Sequence, residues 1–245
     1  MLSVVMLAHE DEDQLPETLD KATKVADELI VVDSYSEDST ADIAEEYGAE
    51  VHQVEWQGYA ETWQYAIDQA TGDWILMLGS DEVLSNEAID QILEINNKGG
   101  EYDGYKIYSI NYIARRKIPH WCRYAPRLFK RSKGRMSNDE VHESIQLDGK
   151  WGRIEGPLHH YTLESMSEHI SKLDEYTQLG ADDFEEKPNF NDLYLLPLWV
   201  LGWNLFRKGL ILDGTDGLYI SIMSAVDSFV TAYRATLKFE GVENY

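Results

Sequence analysis

Two apolar runs in this chain end in acids. Residues 73–82 read DWILMLGSDE, so that Trp74 to Leu78 lead through Gly79 and Ser80 into Asp81 and Glu82. Residues 29–33 read LIVVD and end on Asp33. A buried strand with such an ending delivers a carboxylate to the edge of a sheet. In open α/β sheets, ligands collect in the crevice outside the carboxyl ends of the strands. The spacing therefore puts Asp33 and Asp81 in the default ligand crevice. The plainer reading keeps Asp33 as a turn cap and Asp81 as the N-cap of a short turn.

The elements that would hold these acids alternate. Strands are expected at 3–7, 29–33, 50–54 and 73–78. Helices are expected from Leu15-Pro16, from the Ser36 and Asp38 cap candidates through Tyr47, over 59–70 and over 86–97. Gly48 and Gly99-Gly100 would stop two of these helices. Such alternation means a doubly wound, mostly parallel sheet. Beyond residue 101 the pattern changes to short strands at 104–112, 125–130, 141–147 and 157–161, which read as an antiparallel extension. Helices at 167–184, 194–208 and 217–239 would follow. The expected division is 1–100, 101–162 and a C-terminal helical extension over 163–245.

Composition bounds the function. The chain has 245 residues, 43% hydrophobic and 27% charged, with a formal net charge of -24. That charge argues against non-specific binding to nucleic acid by the molecule as a whole. The single cysteine, Cys122, rules out an internal disulfide and a cysteine-cluster metal site, and a reducing compartment is the default. The first eight residues lack a basic region typical of a secretory leader. No apolar run reaches the roughly 18 residues of a spanning helix. A cytoplasmic protein is expected, with peripheral contact at the inner membrane face kept open.

Basic residues gather between Ile113 and Arg135, interleaved with Trp121, Tyr124 and Phe129. This strip reads either as a solvated face or as a local anion site. The stretch LYLLPLWVLGWNLFRKGLILDG, 193–214, reads either as helices packing on the sheet or as a surface that docks on a membrane.

The segments LSVVMLAHEDED, ADELIVVDSYSEDSTADIAEEYGAEV, AIDQATGDWILMLGSDE, RLFKR, VHES, LHHYT and GLILDGTDGLYISIMSAVDSFV together resemble family 2 glycosyltransferases. The nearest likeness is to bacterial lipopolysaccharide-core glucosyltransferases. The resemblance implies a GT-A fold, a nucleotide-sugar donor (a UDP-sugar), Mn²⁺ or Mg²⁺, and inverting transfer of a sugar, most simply glucose. The acceptor it implies is a cell-envelope glycan or lipid-linked glycan such as lipopolysaccharide core. It places Ala8, Glu10, Asp33, Ser80 and Asp81 at the donor, and Asp81 and His160 at the metal. It points to Glu143 as base, with Asp139 and Glu140 as substitutes. His160 could equally be a structural histidine, and Glu143 an arginine's partner.

Three positions depart from the family pattern. The first Asp of the usual Asp-x-Asp is Gly79, the usual Asn before Glu10 is His9, and a common Lys-Asn pair is Trp63-Gln64. They motivate an alternative: a glycosyltransferase-fold protein that binds nucleotide or glycan without turnover. A sugar-phosphate nucleotidyltransferase is disfavoured, because the loop AHEDED after the first strand has neither glycine nor base.

Overall fold

Three of the first four strands, all but the third, carry side chains that are buried on both faces, and their alternation sorts those side chains into two layers. The four strands are β1 (Leu2–Ala8), β2 (Glu28–Asp33), β3 (Glu50–Gln53) and β4 (Trp74–Gly79). They come from a computed structural model that describes residues 1–137, 144–163 and 165–242. Val4, Met6, Leu29, Val31, Leu76 and Leu78 point to one face, where they meet Leu15, Leu19 and Ile92. Val5, Ile30, Val32, Ile75 and Met77 point to the other, against Ala66 and Ile67. Successive side chains on a strand face opposite ways, so a strand covered on both sides must be apolar throughout.

The helices supply the covers. Helix α1 (Leu15–Ala22) begins with proline in its first turn and buries Leu15, Leu19 and Ala22. Helix α2 (Thr40–Glu46) follows β2, and α3 (Tyr59–Gln69) precedes β4. The residue that caps α2 is Ser39, not Ser36 or Asp38; Asp38 accepts the Thr40 N–H in the turn before the helix, and the Ser36 hydroxyl is turned to Asp33. Helix α4 (Asn86–Lys98) is capped by Ser85, which accepts from the Ala88 N–H at 3.1 Å, and ends on left-handed Gly99.

Among the described residues the main sheet has eight strands, in the order β3-β2-β1-β4-β7-β6-β10-β5. Besides those above, they are β5 (Glu82–Leu84), β6 (Gly104–Ile113), β7 (Arg116–Lys130) and β10 (Trp151–Leu163). Strands β8 (Gly134–Met136) and β9 (Ile145–Leu147) pair separately. The first four strands are parallel, while β4–β7 and β10–β5 are antiparallel. This is the expected mixed α/β architecture. Strand β5 is an addition to it, and β7 and β10 run longer than their apolar cores indicate.

The chain divides into two compact units. The first comprises residues 1–110 and 123–160, and the second 111–122 and 161–245. In the second, α5 (Met166–Asp182) precedes a helical stretch over 191–207, whose centre is α6 (Leu196–Gly202) and whose ends are wider π turns. A 3₁₀ turn (Leu210–Asp213) then leads into α7 (Gly214–Phe239). Its small core contains Ile118, Leu163, Leu210 and Ile220. Asp213 ties the turn down, accepting the His120 N–H at 3.0 Å and lying 2.7 Å from His120 Nδ1.

One glycine fixes how α4 seats on the sheet. A Cβ on Gly156 of β10 would lie 2.2 Å from the Ala88 backbone nitrogen. Gly156→Ala is expected to cost about 1–3 kcal/mol or more in urea unfolding, because backbone cannot swing aside as a side chain can. Gly48→Ala has open space around it but a φ of +82°, and is expected to cost about 1 kcal/mol from backbone strain alone.

Candidate active site

The parallel register brings the ends of three strands side by side. Ala8 is opposite Asp33, Leu7 is opposite Gly79, and Asp33 is also opposite Gln53. Asp33 is fully buried. Its carboxylate accepts from the Ser36 hydroxyl, from the Ser36 N–H at 3.2 Å and from Gln53 Nε2 at 3.3 Å. Ser36 Oγ in turn accepts the Glu10 N–H at 3.0 Å, and Glu10 Oε1 accepts the Glu37 N–H at 2.7 Å. Glu10 itself sits at a φ of 56°. Three more such bonds run between the loops, from the Asp11 N–H to Thr40, from the Glu12 N–H to Asp38 and from the Ser39 N–H to Glu12. The β1–α1 and β2–α2 loops are thus one hydrogen-bonded rim. The turn-cap reading of Asp33 is correct as far as it goes, since Asp33 does cap the turn at Ser36.

The second part of the site follows β4. Gly79, Ser80 and Asp81 turn the chain from β4 into β5, and the Ser80 carbonyl accepts from Thr18 Oγ1 at 2.6 Å. Asp81 lies within that short turn. Its Oδ2 lies 3.1 Å from Nε2 of His160, which faces Glu82 across the antiparallel β10–β5 pair. Burial disfavours the imidazolium, but the hydrogen bond and charge of Asp81, with Glu82 behind it, raise the His160 pKa above its ordinary value.

Glu82 and Arg127 were missed as site residues in the sequence, the arginine having been counted in the basic strip. Glu82 is only 2% exposed. Arg127 grips it with Nε at 2.9 Å and an Nη at 2.7 Å, and the Gly79 N–H donates to the same carboxylate at 3.0 Å. Burial opposes ionisation of Glu82. Arg127 outweighs it, with help from His160 and Gly79, and the carboxyl is held below its usual range. A bidentate guanidinium is the partner such a site demands.

Gly79 leaves room that Asp81 uses. A Cβ there would lie 2.8 Å from Asp81 Oδ1, so any side chain at 79 would displace that carboxylate from its place over the strand end. Trp63 lines a cleft of about 280 Å³ with Tyr59, Met77, Tyr124 and Arg127. Gln64 is occupied elsewhere, accepting the Met136 N–H at 2.9 Å and donating to Asp68 at 2.8 Å. A larger hollow, about 440 Å³, lies at the β8–β9 hairpin and shares no lining residue with this site.

Glu143, Asp139 and Glu140 lie outside the described residues. The basic strip is divided between the two units. Lys130 pairs with Asp103 and Lys133 with Asp148 in the first unit, whereas Arg116 pairs with Asp216 in the second.

Among the described residues no three acidic, histidine or cysteine side chains gather as a metal cage. Asp81 and His160 are nonetheless a carboxylate and an imidazole within reach of one ion. Two protein donors suit a Mg²⁺ or Mn²⁺ that completes its shell with phosphate oxygens and water.

A mixed α/β sheet with two carboxylates at its strand ends is the architecture of a protein that collects its ligand at those ends. Residues 3–152 match glycosyl transferase family 2, and the chain belongs to that family. It is 29% identical over 252 residues to the lipopolysaccharide core biosynthesis glycosyltransferase LpsC of Rhizobium meliloti, covering 95% of this chain and 91% of that protein. It is 26% identical over 247 residues to an uncharacterized glycosyltransferase of Rickettsia typhi, covering 94% and 84%. Residues 1–349 of S. aureus TarS in complex with UDP-GlcNAc superpose with a TM-score of 0.51 at 14% identity, over 100% of this chain and 93% of that one. This last likeness concerns the GT-A fold.

Two measurements test the electrostatics. Arg127→Met strands a buried carboxylate and is expected to cost about 3–5 kcal/mol in urea unfolding, while Glu82→Leu combined with Arg127→Met recovers most of it. His160 has the opposite pH sign from Glu82. Because its folded pKa is raised, its stabilisation is complete below its unfolded value of about 6.5 and is lost as pH rises through the folded value. In metal-free protein, Asp81→Asn is expected to remove that loss and to lower the imidazole pKa followed by NMR.

Proposed function

We propose that this chain is a metal-dependent, inverting glycosyltransferase that moves glucose from UDP-glucose to a cell-envelope glycan, such as a lipopolysaccharide core. The observation that carries the reading is the Asp81–His160 pair at the end of β4, beside the buried Asp33 at the end of β2. The likeness to LpsC over nearly the whole of both chains supports the acceptor class.

On this reading residues 1–100 hold the donor, 101–162 form the acceptor side, and 163–245 are a helical extension. The rim of Asp33, Glu10 and Ala8 binds the nucleoside. Asp33 offers a carboxylate already fixed by Ser36 and Gln53, so little ordering remains to be done when a ribose or base arrives. Ser80 and Asp81 lie against the diphosphate. Asp81 and His160 would hold Mn²⁺ or Mg²⁺, which when bound neutralises charge growing on the departing diphosphate. Glu143, with Asp139 and Glu140 as substitutes, takes the proton from the acceptor hydroxyl as its oxygen bonds to the anomeric carbon. The bond from that carbon to the diphosphate oxygen breaks on the opposite face, which inverts the configuration.

Calorimetric titration of UDP and UDP-glucose, with and without Mn²⁺, tests this. Binding is expected to require the metal and to fall at least roughly tenfold in Asp81→Asn, the loss of about 1.4 kcal/mol. Mn²⁺ must also displace the proton that His160 shares with Asp81, so proton release is expected in buffers of different ionisation enthalpy, and none in His160→Ala. Metal-dependent binding without transfer or donor hydrolysis would favour the competing reading, motivated by Gly79, of a binder without turnover. Loss of metal dependence would sink both roles of Asp81.

A further inference from the structure

The second unit exposes large apolar side chains in a pattern that its own packing does not explain. On the helical stretch over 191–207, Leu198 is 65% exposed and Phe206 72%, with Trp199 and Trp203 stacked beside them at 5.1 Å. In the following turn Leu212 is 74% exposed. Along α7 a second exposed stripe runs through Leu218, Ile222, Val226, Phe229 and Tyr233. Its spacing of four, four, three and four residues keeps it on one helix face, away from Gly217, Ile220, Ser221, Ala232 and Ala235, which are buried. Single exposed hydrophobics are ordinary, but stripes on consecutive elements are not.

We propose that this face docks on a lipid bilayer, lying in the plane of its surface. Three observations choose lipid over protein. Residues 193–212 contain no acid and carry Arg207-Lys208, although the chain has 45 acids and a net charge of -24. The local charge of this apolar stretch complements phosphate headgroups. Its exposed aromatic residues are Trp, Tyr and Phe, and Arg207 lies over the Trp203 ring at 5.8 Å; such side chains settle at the boundary of headgroup and acyl chain. The segments Asn191–Arg207 and Leu210–Phe239 together have the length and composition of lipid-buried helix, but they are bent by 72°. No single helix among the described residues is long and apolar enough to cross. The exposed apolar residues of both segments are accessible without unfolding, as docking in the plane of a membrane surface requires. The turn at the bend is pinned by Asp213 to His120 and by Asp216 to Arg116, so the face is presented ready-formed.

The test is flotation of the full chain with vesicles of phosphatidylcholine alone, and with roughly 30% phosphatidylglycerol. It uses no nucleotide, so its outcome is independent of the proposed chemistry. The wild type is expected to float with both and more strongly with the anionic vesicles. Leu198→Ser with Trp199→Ser and Phe206→Ser is expected to reduce binding to both by roughly tenfold or more. Arg207→Glu with Lys208→Glu is expected to abolish only the anionic preference. These side chains are exposed, so an unchanged melting curve separates lost docking from lost folding. Failure of the folded wild type to float with either vesicle overturns the proposal. So does a dimer in sedimentation velocity that the triple variant dissociates while vesicle binding is unchanged, which would assign the face to a second copy.

Discussion

A carboxylate buried at the turn after the central strand has to be neutralised where it stands. Glu82 meets that demand with Arg127, 45 residues away, and with the amide of Gly79. Each partner comes from a different element, so the pair joins the end of β4, the start of β5 and the middle of β7. A half-made pair would strand a charge in the interior at a cost comparable to a large part of a domain's stability. Asp81 stands next to Glu82, and His160 opposite it, so the geometry of the outer pair is inherited from the inner one.

The buried pair also settles charge in the site. Asp81 and Glu82 are balanced by Arg127 and by a His160 whose pKa those acids raise. A diphosphate entering that neighbourhood brings uncompensated negative charge into a chain that is already strongly acidic. Exchanging the His160 proton for a divalent ion would add one positive charge at the place where it is needed, without disturbing Arg127.

Much of this was legible in the sequence, for local reasons. Continuous apolar runs mark strands covered on both faces, and the residues that end them mark the sheet edge, which is how Asp33 and Asp81 could be read. Proline and glycine at the expected ends of α1 and α4 gave the helices their bounds. What could not be read depends on partners distant in the chain. Strand β5 is three residues long, and only its pairing with β10 makes it a strand. Arg127 looked like one more base in a basic run, because nothing within that run announces a buried acid 45 residues earlier. The same run divides between two units, and several of its members are paired with acids distant in the chain. His160 was reached through the likeness of LHHYT to a family segment, not from periodicity; its contact with Asp81 exists only through the register of β10 on β5.

Gly79 shows how a departure from a family pattern is to be judged. Counted as a missing carboxylate, it weakens the site by one contact. Measured in the structure, it is the space that lets Asp81 Oδ1 lie over the strand end, 2.8 Å from where a Cβ would be. An aspartate at 79 would therefore not simply add a ligand. It would push Asp81 Oδ1 aside and set two like charges against each other beside a third at Glu82. The glycine and the Asp81–His160 pair are two sides of one arrangement. In it the end of β4 carries one carboxylate, Asp81, paired with a histidine, where the family pattern expects two acids.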